Sequence, residues 1–405
     1  MLIMTRGNVK LENPERFLKP YTISKEKVTA ALSVALDKLE KNGREYGAMM
    51  PATCRPKGFK YGFTDCYGDW DAGMYAGCYW LAYDLSGEKI FRELGEQVTD
   101  LFRKRCDEKY GMNSHDVGFL FSPTAVAAYK LTGDEAARKT AIEAATYLYE
   151  YNYSKKGKFI IRGWKTWDSG TGCRTMMDAM LNAPLLFWAG KETGNADFTQ
   201  AAMDHVATTE KLLVRADGST YHHYQFNPED ASPMHGLTLQ GHSDESCWSR
   251  GQSWGVYGFP VAYSYTGAEY LLPLHRDVSY FTLNHLPEDN ITAWDYDFTS
   301  TKAVKDSSAG IISACGMYDM AKMLPDGCEE KAVYENAAAM ILDSTIDLCT
   351  GDNGIDYDGL MFKVTGFAMA KKPENRHIEQ IAAYGDYFYL EALARYYKPG
   401  FKAYW

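Results

Sequence analysis

The sequence predicts an all-α fold, an (α/α)6 barrel in which six helical hairpins form an inner and an outer ring. Three observations point there. A two-segment helical unit recurs along the 405 residues; the first segment of each unit is apolar nearly all round and the second amphipathic; and long loops of unequal length separate the units. A helix that is apolar on every side is buried, and an amphipathic one covers it from outside. An open solenoid of hairpins gives the same local pattern, but it repeats at a fixed short period, whereas the breaks here drift apart.

Taken in order, an early pair is expected near Ile23 to Leu39. The next unit, MYAGCYWLAYDLSGEKIFRELGEQVTDLF from Met74 to Phe102, breaks at Gly87, and PTAVAAYKLTGDEAARKTAIEAATYLYEY from Pro123 to Tyr151 breaks at Gly133. A third unit begins at Pro184 and breaks at Gly194, a fourth starts near Val256 and breaks at Gly267, and Pro325-Asp326-Gly327 is a looser counterpart. Glycine suits the left-handed residue that ends a helix. Glu88, Arg92 and Glu96 are spaced for the exposed face of a second segment, and the final IAAYGDYFYLEALARYY supplies one more inner helix. No linker or compositional shift divides the chain, so one domain over residues 1–405 is expected. The unusual residues fall in the loops Gly62 to Trp70, Asn113 to Phe119, Gly163 to Thr175, Tyr221 to Gly251 and Asn353 to Ile381. Long loops at one end of a barrel are where a site is built.

Composition excludes several classes of function. Hydrophobic residues at 46% and charged residues at 24% describe a globular chain, and a net charge of -10 argues against a nucleic-acid or anionic-membrane partner. Nine cysteines lie singly, with no CxxC pair or Cys/His cluster, which fits reduced thiols and no zinc site. The N-terminus lacks the features of a signal peptide and no apolar run is long enough to span a membrane, so a cytoplasmic location is expected. Thirty Tyr and nine Trp raise the aromatic fraction to 14%, which suits a protein that grips sugar rings, although aromatics also build cores.

Three segments set polar groups beside aromatic or small residues at the start of an expected inner helix. In NSHDVGFLFSP, Asp116 caps a helix from Val117 or does something more costly. In CRTMMDAMLNAPLLFW, Asp178 sits in an apolar stretch where a cap is a poor explanation; burial pushes a carboxyl's pKa up, and a proton donor near neutral pH needs such a rise. The third segment, TYHHYQF followed by GLTLQGHSDESCWSRGQSWGVYGF, gathers His222, His223, Gln240, His242, Asp244, Glu245, Trp248, Arg250, Gln252 and Trp254. Arginine offers a planar fork that fits a carboxylate, while each Trp either stacks on a sugar or fills the barrel. The His and Asp spacings match no usual metal pattern.

QGHSDESCWSRGQSWGVYGF, HDVGF, MMDAMLNAPLLFWA, KDSSAG and YGDYFYLEAL together resemble the unsaturated glucuronyl hydrolases, family 88 of the glycoside hydrolases, in blocks that run from about Trp70 to Arg395. The resemblance implies an (α/α)6 barrel, no cofactor, and a substrate that is an oligosaccharide left by a polysaccharide lyase, with an unsaturated uronic acid at its non-reducing end. It implies hydration of the C4=C5 vinyl ether to a hemiketal that opens and releases the rest of the sugar. One carboxyl suffices for that chemistry, since it gives a proton to C4 and takes one from the water that enters at C5. Carried over, Asp178 is the general acid/base and Asp116 its partner near the reacting ring. His222 and Gln240 match residues that position water or substrate, Arg250 and Trp254 line the uronate subsite, and Trp70 and Phe119 form its aromatic wall. His115 and Trp164 complete the expected substrate-binding set, and the loop around Trp167 and Asp168 aligns more loosely.

The sequence departs from the family in two places. Asp69-Trp70-Asp71-Ala72-Gly73 carries its acid one position away from a frequent Trp-x-Asp-Gly, which leaves the role of Asp71 open. Where members that prefer sulfated fragments carry a serine-and-lysine pattern, this chain reads TGFAMAKKPENRHIEQIAAYGDYF, although Lys371, Lys372 and Arg376 remain available to an anion. Alternatives are an unsaturated rhamnogalacturonyl hydrolase acting on pectin fragments, a sugar 2-epimerase that abstracts a proton with histidines, and a non-catalytic glycan-binding protein.

Overall fold

The computed structural model describes residues 6–167, 172–351 and 354–405. Among them the helices are α1 Pro14–Leu18, α2 Lys25–Tyr46, α3 Ala72–Ser86, α4 Lys89–Asp107, α5 Val117–Phe121, α6 Ala127–Thr132, α7 Glu135–Tyr151, α8 Pro184–Thr193, α9 Ala196–Leu212, α10 Ser249–Thr266, α11 Leu271–Asn284, α12 Ser307–Met323, α13 Glu329–Cys349 and α14 Ala383–Tyr397. A π-helical turn, Ser122–Val126, joins α5 to α6, so these segments run on as one rod.

The inner members are α3, the α5–α6 rod, α8 with the 3-10 turn Met177–Leu181 that leads into it, α10, α12 and α14. They bury nearly every residue of their central turns, from Ala72 to Ala82 in α3 and from Ser249 to Ala262 in α10. The outer members bury one stripe. In α4 that stripe is Phe91, Leu94, Val98 and Phe102, spaced at three and four residues, while Lys89–Glu93 and Arg92–Glu96 pair on the exposed face. The inner set closes on itself, since α14 packs against both α12 and α3, and α2 covers α14 from outside. The hairpin breaks have the expected chemistry: Gly87, Gly133, Gly194 and Gly267 take φ of 72°, 73°, 72° and 63° after their inner helices. Inner neighbours approach backbone to backbone where a side chain is missing. A Cβ on Gly118 would stand 2.4 Å from the Cα of Asn182, and one on Gly316 would stand 2.4 Å from the Val256 carbonyl oxygen.

The loops carry short strands that the helical pattern does not predict. β1 Met50–Pro51 pairs with β2 Phe63–Thr64, and β3 Tyr153–Ser154 with β4 Phe159–Ile160. β5 Arg174–Met176, β6 His223–Phe226 and β7 Pro233–Leu237 form an antiparallel sheet in that order, with Met176 opposite His223. A buried ionic knot joins three inner helices. Glu391 accepts from Tyr257 Oη at 2.8 Å, Trp405 Nε1 at 2.9 Å and Arg395 Nη1 at 3.1 Å, and Arg395 also holds Asp319 at 2.7 Å.

Candidate active site

Every inner member presents a polar or aromatic group at its N-terminal end. Trp70 precedes α3, Asp116 precedes α5, Asp178 stands in the turn before α8, Arg250 in the first turn of α10, Asp306 before α12 and Tyr384 in the first turn of α14. Five of these, all but Asp306, line one cavity of about 410 Å³, together with Arg55, Asp69, Ser114, His115, Arg162, Met176, Leu239, Gln240 and Phe367 among others. Helix N-termini carry partial positive charge, so five of them gathered at one mouth favour an anion there.

Two carboxylates face the cavity on separate segments. Asp116 stands at the position before α5, yet its side chain caps no helix N–H; its Oδ2 accepts from Ser114 Oγ at 2.5 Å. His115 Nε2 is 3.2 Å from Asp116 Oδ1 but out of line for a hydrogen bond. Asp178 is nearly buried, and its Oδ1 has no hydrogen-bond partner among the described residues. Burial pushes the Asp178 carboxyl up from 3.8 to about 6; His115 and Arg250 pull it down and Asp116 pushes it further up. At that value about a tenth of the enzyme holds the proton at pH 7, against about one part in a thousand for an ordinary aspartate.

Asn182 ties the two acids together. Its Nδ2 donates to the Asp178 carbonyl at 3.1 Å, and its Oδ1 accepts from Phe119 N–H at 2.7 Å, three residues after Asp116. A third segment is pinned to the same turn, because Met177 N–H donates to the His222 carbonyl at 2.9 Å. His222 Nδ1 accepts from the Leu239 amide at 3.2 Å, so in the neutral ring the proton sits on Nε2. Burial holds this imidazole well below its ordinary value, with His223 and Arg250 adding to the effect. Its Nε2–H lies 3.8 Å from Asp178 Oδ1, a donor to whatever oxygen sits there rather than a base.

Arg250 is buried and held on four sides. Nη1 donates to Asp306 Oδ2 at 2.5 Å and to the Thr365 carbonyl at 2.8 Å, Nη2 donates to Gln240 Oε1 at 3.1 Å, and the guanidinium lies 4.6 Å from the Trp248 ring and 4.5 Å from that of Tyr384. Arg55 rests on Phe367 at 4.5 Å, and neither its guanidinium nor that of Arg162 meets a carboxylate among the described residues.

The structure thus brings Asp116, Asp178, His115, Gln240, Arg250 and Trp70 to one cavity, with His222 beneath Asp178. It corrects the expected wall. Phe119 and Trp254 are fully buried and do not line the cavity; their rings meet at a tilt with centroids 5.2 Å apart, and Phe119 supports Trp70 from behind at 5.6 Å. Trp164 is 38% exposed on the surface, where its Nε1 donates to Tyr147 Oη at 3.3 Å, and it does not line the cavity. Trp167 donates to the Pro228 carbonyl, and Asp168 lies outside the described residues. Asp71 is fully buried with both carboxylate oxygens unpartnered among the described residues, and burial raises its carboxyl well above the usual range. Asp306, Arg162 and Arg55 were not singled out by sequence reading. Asp306 lies within KDSSAG, but nothing local announces a partner 56 residues away. Among the described residues no group of three or more His, Cys, Asp or Glu side chains could hold a metal ion.

The profile of Glycosyl Hydrolase Family 88 matches residues 55–293. The chain belongs to this family. The unsaturated chondroitin disaccharide hydrolase of Streptococcus pneumoniae is 35% identical over 98% of this chain and 98% of its own. The crystal structure of the unsaturated glucuronyl hydrolase from Streptococcus agalactiae covers 100% of both chains at a TM-score of 0.91 and 32% identity. A mutant of that enzyme complexed with dGlcA-GalNAc6S covers 99% of this chain and 100% of its own at a TM-score of 0.84 and 31% identity. These structures have an α/α barrel fold, which the mostly helical chain described above shares.

Proposed function

We propose that this family 88 enzyme is an unsaturated glucuronyl hydrolase, which hydrates the C4=C5 double bond of the 4,5-unsaturated uronic acid at the non-reducing end of lyase-generated, glycosaminoglycan-type oligosaccharides. The observation that carries the reading is Asp178: a buried carboxyl whose Oδ1 has no hydrogen-bond partner among the described residues, with its value raised to about 6, in one cavity with a second carboxyl, Asp116, and a fixed arginine. Neutral Asp178 donates its proton to C4, and positive charge develops at C5 and the ring oxygen. The Asp116 carboxylate stabilises that charge. Asp178, now a carboxylate, takes a proton from the water that adds to C5, so the acid is regenerated in the same cycle. The hemiketal opens and the remaining sugar leaves. The His222 Nε2–H donates to water or substrate beside Asp178, Arg250 and Gln240 meet the uronate, and Trp70 forms a flat wall for the ring.

The five helix ends at the mouth, with Arg55 and Arg162 meeting no carboxylate among the described residues, support an anionic substrate despite the net charge of -10. The reading includes one catalytic domain over the whole chain and a cytoplasmic location. No helix among the described residues is long and apolar enough to cross a membrane, and recovery of the enzyme outside fractionated cells would contradict the location. The deciding assay follows the ultraviolet absorbance of the conjugated uronate with unsaturated chondroitin and hyaluronan disaccharides. Steady loss of absorbance, abolished in Asp178→Asn, is expected. Unchanged absorbance with these and with a pectin-derived disaccharide would refute hydration.

A further inference from the structure

Asp306 touches no part of the cavity, yet it is bonded to the residue at its centre. The carboxylate is fully buried in front of α12. Its Oδ2 takes Arg250 Nη1 at 2.5 Å; its Oδ1 takes the Ser308 hydroxyl at 2.5 Å and the Thr365 amide at 3.4 Å. Thr365 returns its carbonyl to the same Arg250 nitrogen at 2.8 Å, and its hydroxyl donates to the Lys305 carbonyl at 2.6 Å. One side of the guanidinium is thereby consumed by protein, and the stacked rings of Trp248 and Tyr384 forbid it to rotate. The other terminal nitrogen, Nη2, donates to the cavity-lining Gln240 at 3.1 Å and is fixed in direction. A buried arginine without a counterion would also present a full positive charge to Asp178.

We propose that Asp306 is a positioning residue, which through Arg250 fixes both the aim of the guanidinium at the substrate and the charge that faces Asp178. The inference rests on the reading of Asp178 as proton donor to an unsaturated uronate. The groups that face Asp178 are His115 and Asp116 from the turn before α5, His222 from the segment before β6, and Arg250 from α10; the buried Asp71 lies within the field of the same arginine. Of these, His115 and Arg250 pull Asp178 toward its ionised form, and only the pull of Arg250 comes from a group bonded to Asp306. Asp306 opposes that pull, so its removal leaves Asp178 a weaker holder of its proton.

The test uses Asp306→Asn and Asp306→Glu in the full chain, with two readouts: a carbon-13 NMR titration of the aspartate carboxyls in unliganded protein, with the Asp178 signal assigned from Asp178→Asn, and KM on an unsaturated chondroitin disaccharide. For Asp306→Asn the Asp178 midpoint is expected to fall by about one pH unit and KM to rise about tenfold. Asp306→Glu keeps the charge but not the reach, so its midpoint stays and its KM rises. The proposal stands only if both quantities move in Asp306→Asn. A loss of melting temperature with midpoint and KM unmoved, or a change in one alone, overturns it. If Asp306→Asn does not fold, Asp306→Glu decides: raised KM at an unmoved midpoint supports the proposal, and a wild-type KM or a shifted midpoint defeats it. A wild-type enzyme that leaves unsaturated disaccharides intact refutes hydration, and the unliganded titration alone then decides whether Asp306 sets the charge at Asp178.

Discussion

Replacing Asp178 with Asn is expected to stop the reaction and, above pH 6, to stabilise the fold. The acid's ordinary value is 3.8 and burial has moved it to about 6. Multiplied by 1.36 kcal/mol per pH unit, that gap is about 3 kcal/mol of stability lost once Asp178 is ionised. The sign follows from the raised value. The folded state holds the proton better than the unfolded one, so the contribution of Asp178 is fully present below pH 3.8 and disappears as pH rises through 6. Asparagine has no charge to desolvate and escapes this loss. Denaturant melts of wild type and Asp178→Asn at intervals from pH 4 to pH 8 isolate the effect, because carboxylates that do not interact with Asp178 cancel in the difference. The stability difference is expected to grow across that range to about 3 kcal/mol and then level off, while wild-type kcat/KM falls about tenfold per pH unit above 6. A difference that does not vary with pH would refute the assignment of a raised, proton-holding carboxyl at this position.

Other expectations are more local. Asn182→Ala removes the one hydrogen bond by which Asn182 joins the two acid-bearing segments together with its bond inside the Asp178 turn, and leaves the buried Phe119 amide unpaired, which costs about 2–4 kcal/mol and, by loosening the spacing of Asp116 and Asp178, lowers kcat at least about tenfold. Thermal melts and steady-state kinetics read both, and a kcat within twofold of wild type would show that Asn182 does not set the spacing. Arg162→Gln takes from the cavity wall a guanidinium that meets no carboxylate among the described residues and is expected to raise KM about tenfold with little change in kcat; an unchanged KM would remove Arg162 from the binding surface. Glu391→Gln breaks the knot that joins Tyr257, Arg395 and Trp405 and is expected to cost about 3 kcal/mol in denaturant unfolding, while a loss below 1 kcal/mol would mean that Asp319 alone holds Arg395.

How far the sequence could be read depended on the range of the interactions. The inner helices were legible because a segment such as Ala72–Ser86 is apolar on all faces, and their ends were legible because Gly87, Gly133, Gly194 and Gly267 do what glycine does at any helix end. Asp178 stood out as an acid in an apolar run. The sheet of β5, β6 and β7 did not, because strands of three to five residues are too short to leave a periodic trace and β5 pairs with β6 across about fifty positions. Asp306 was missed for the same reason: its meaning lies in Arg250, which is distant in sequence. Phe119 and Trp254 were assigned to the cavity wall because an aromatic in a helix apolar all round looks the same whether it faces the mouth or the axis.

The convergence of five inner N-termini on one mouth, with the sixth bonded to it through Asp306 and Arg250, makes catalytic competence a collective property of the ring. No hairpin carries the site: the proton donor, its partner, the arginine, the arginine's counterion and the aromatic floor each come from a different inner member. Slippage of any one member against its neighbours misplaces a group that the other five cannot supply. Turnover in increasing denaturant therefore reports closure of the whole ring, and it should vanish along the same curve as the helical signal, with no partly opened species that still hydrates its substrate.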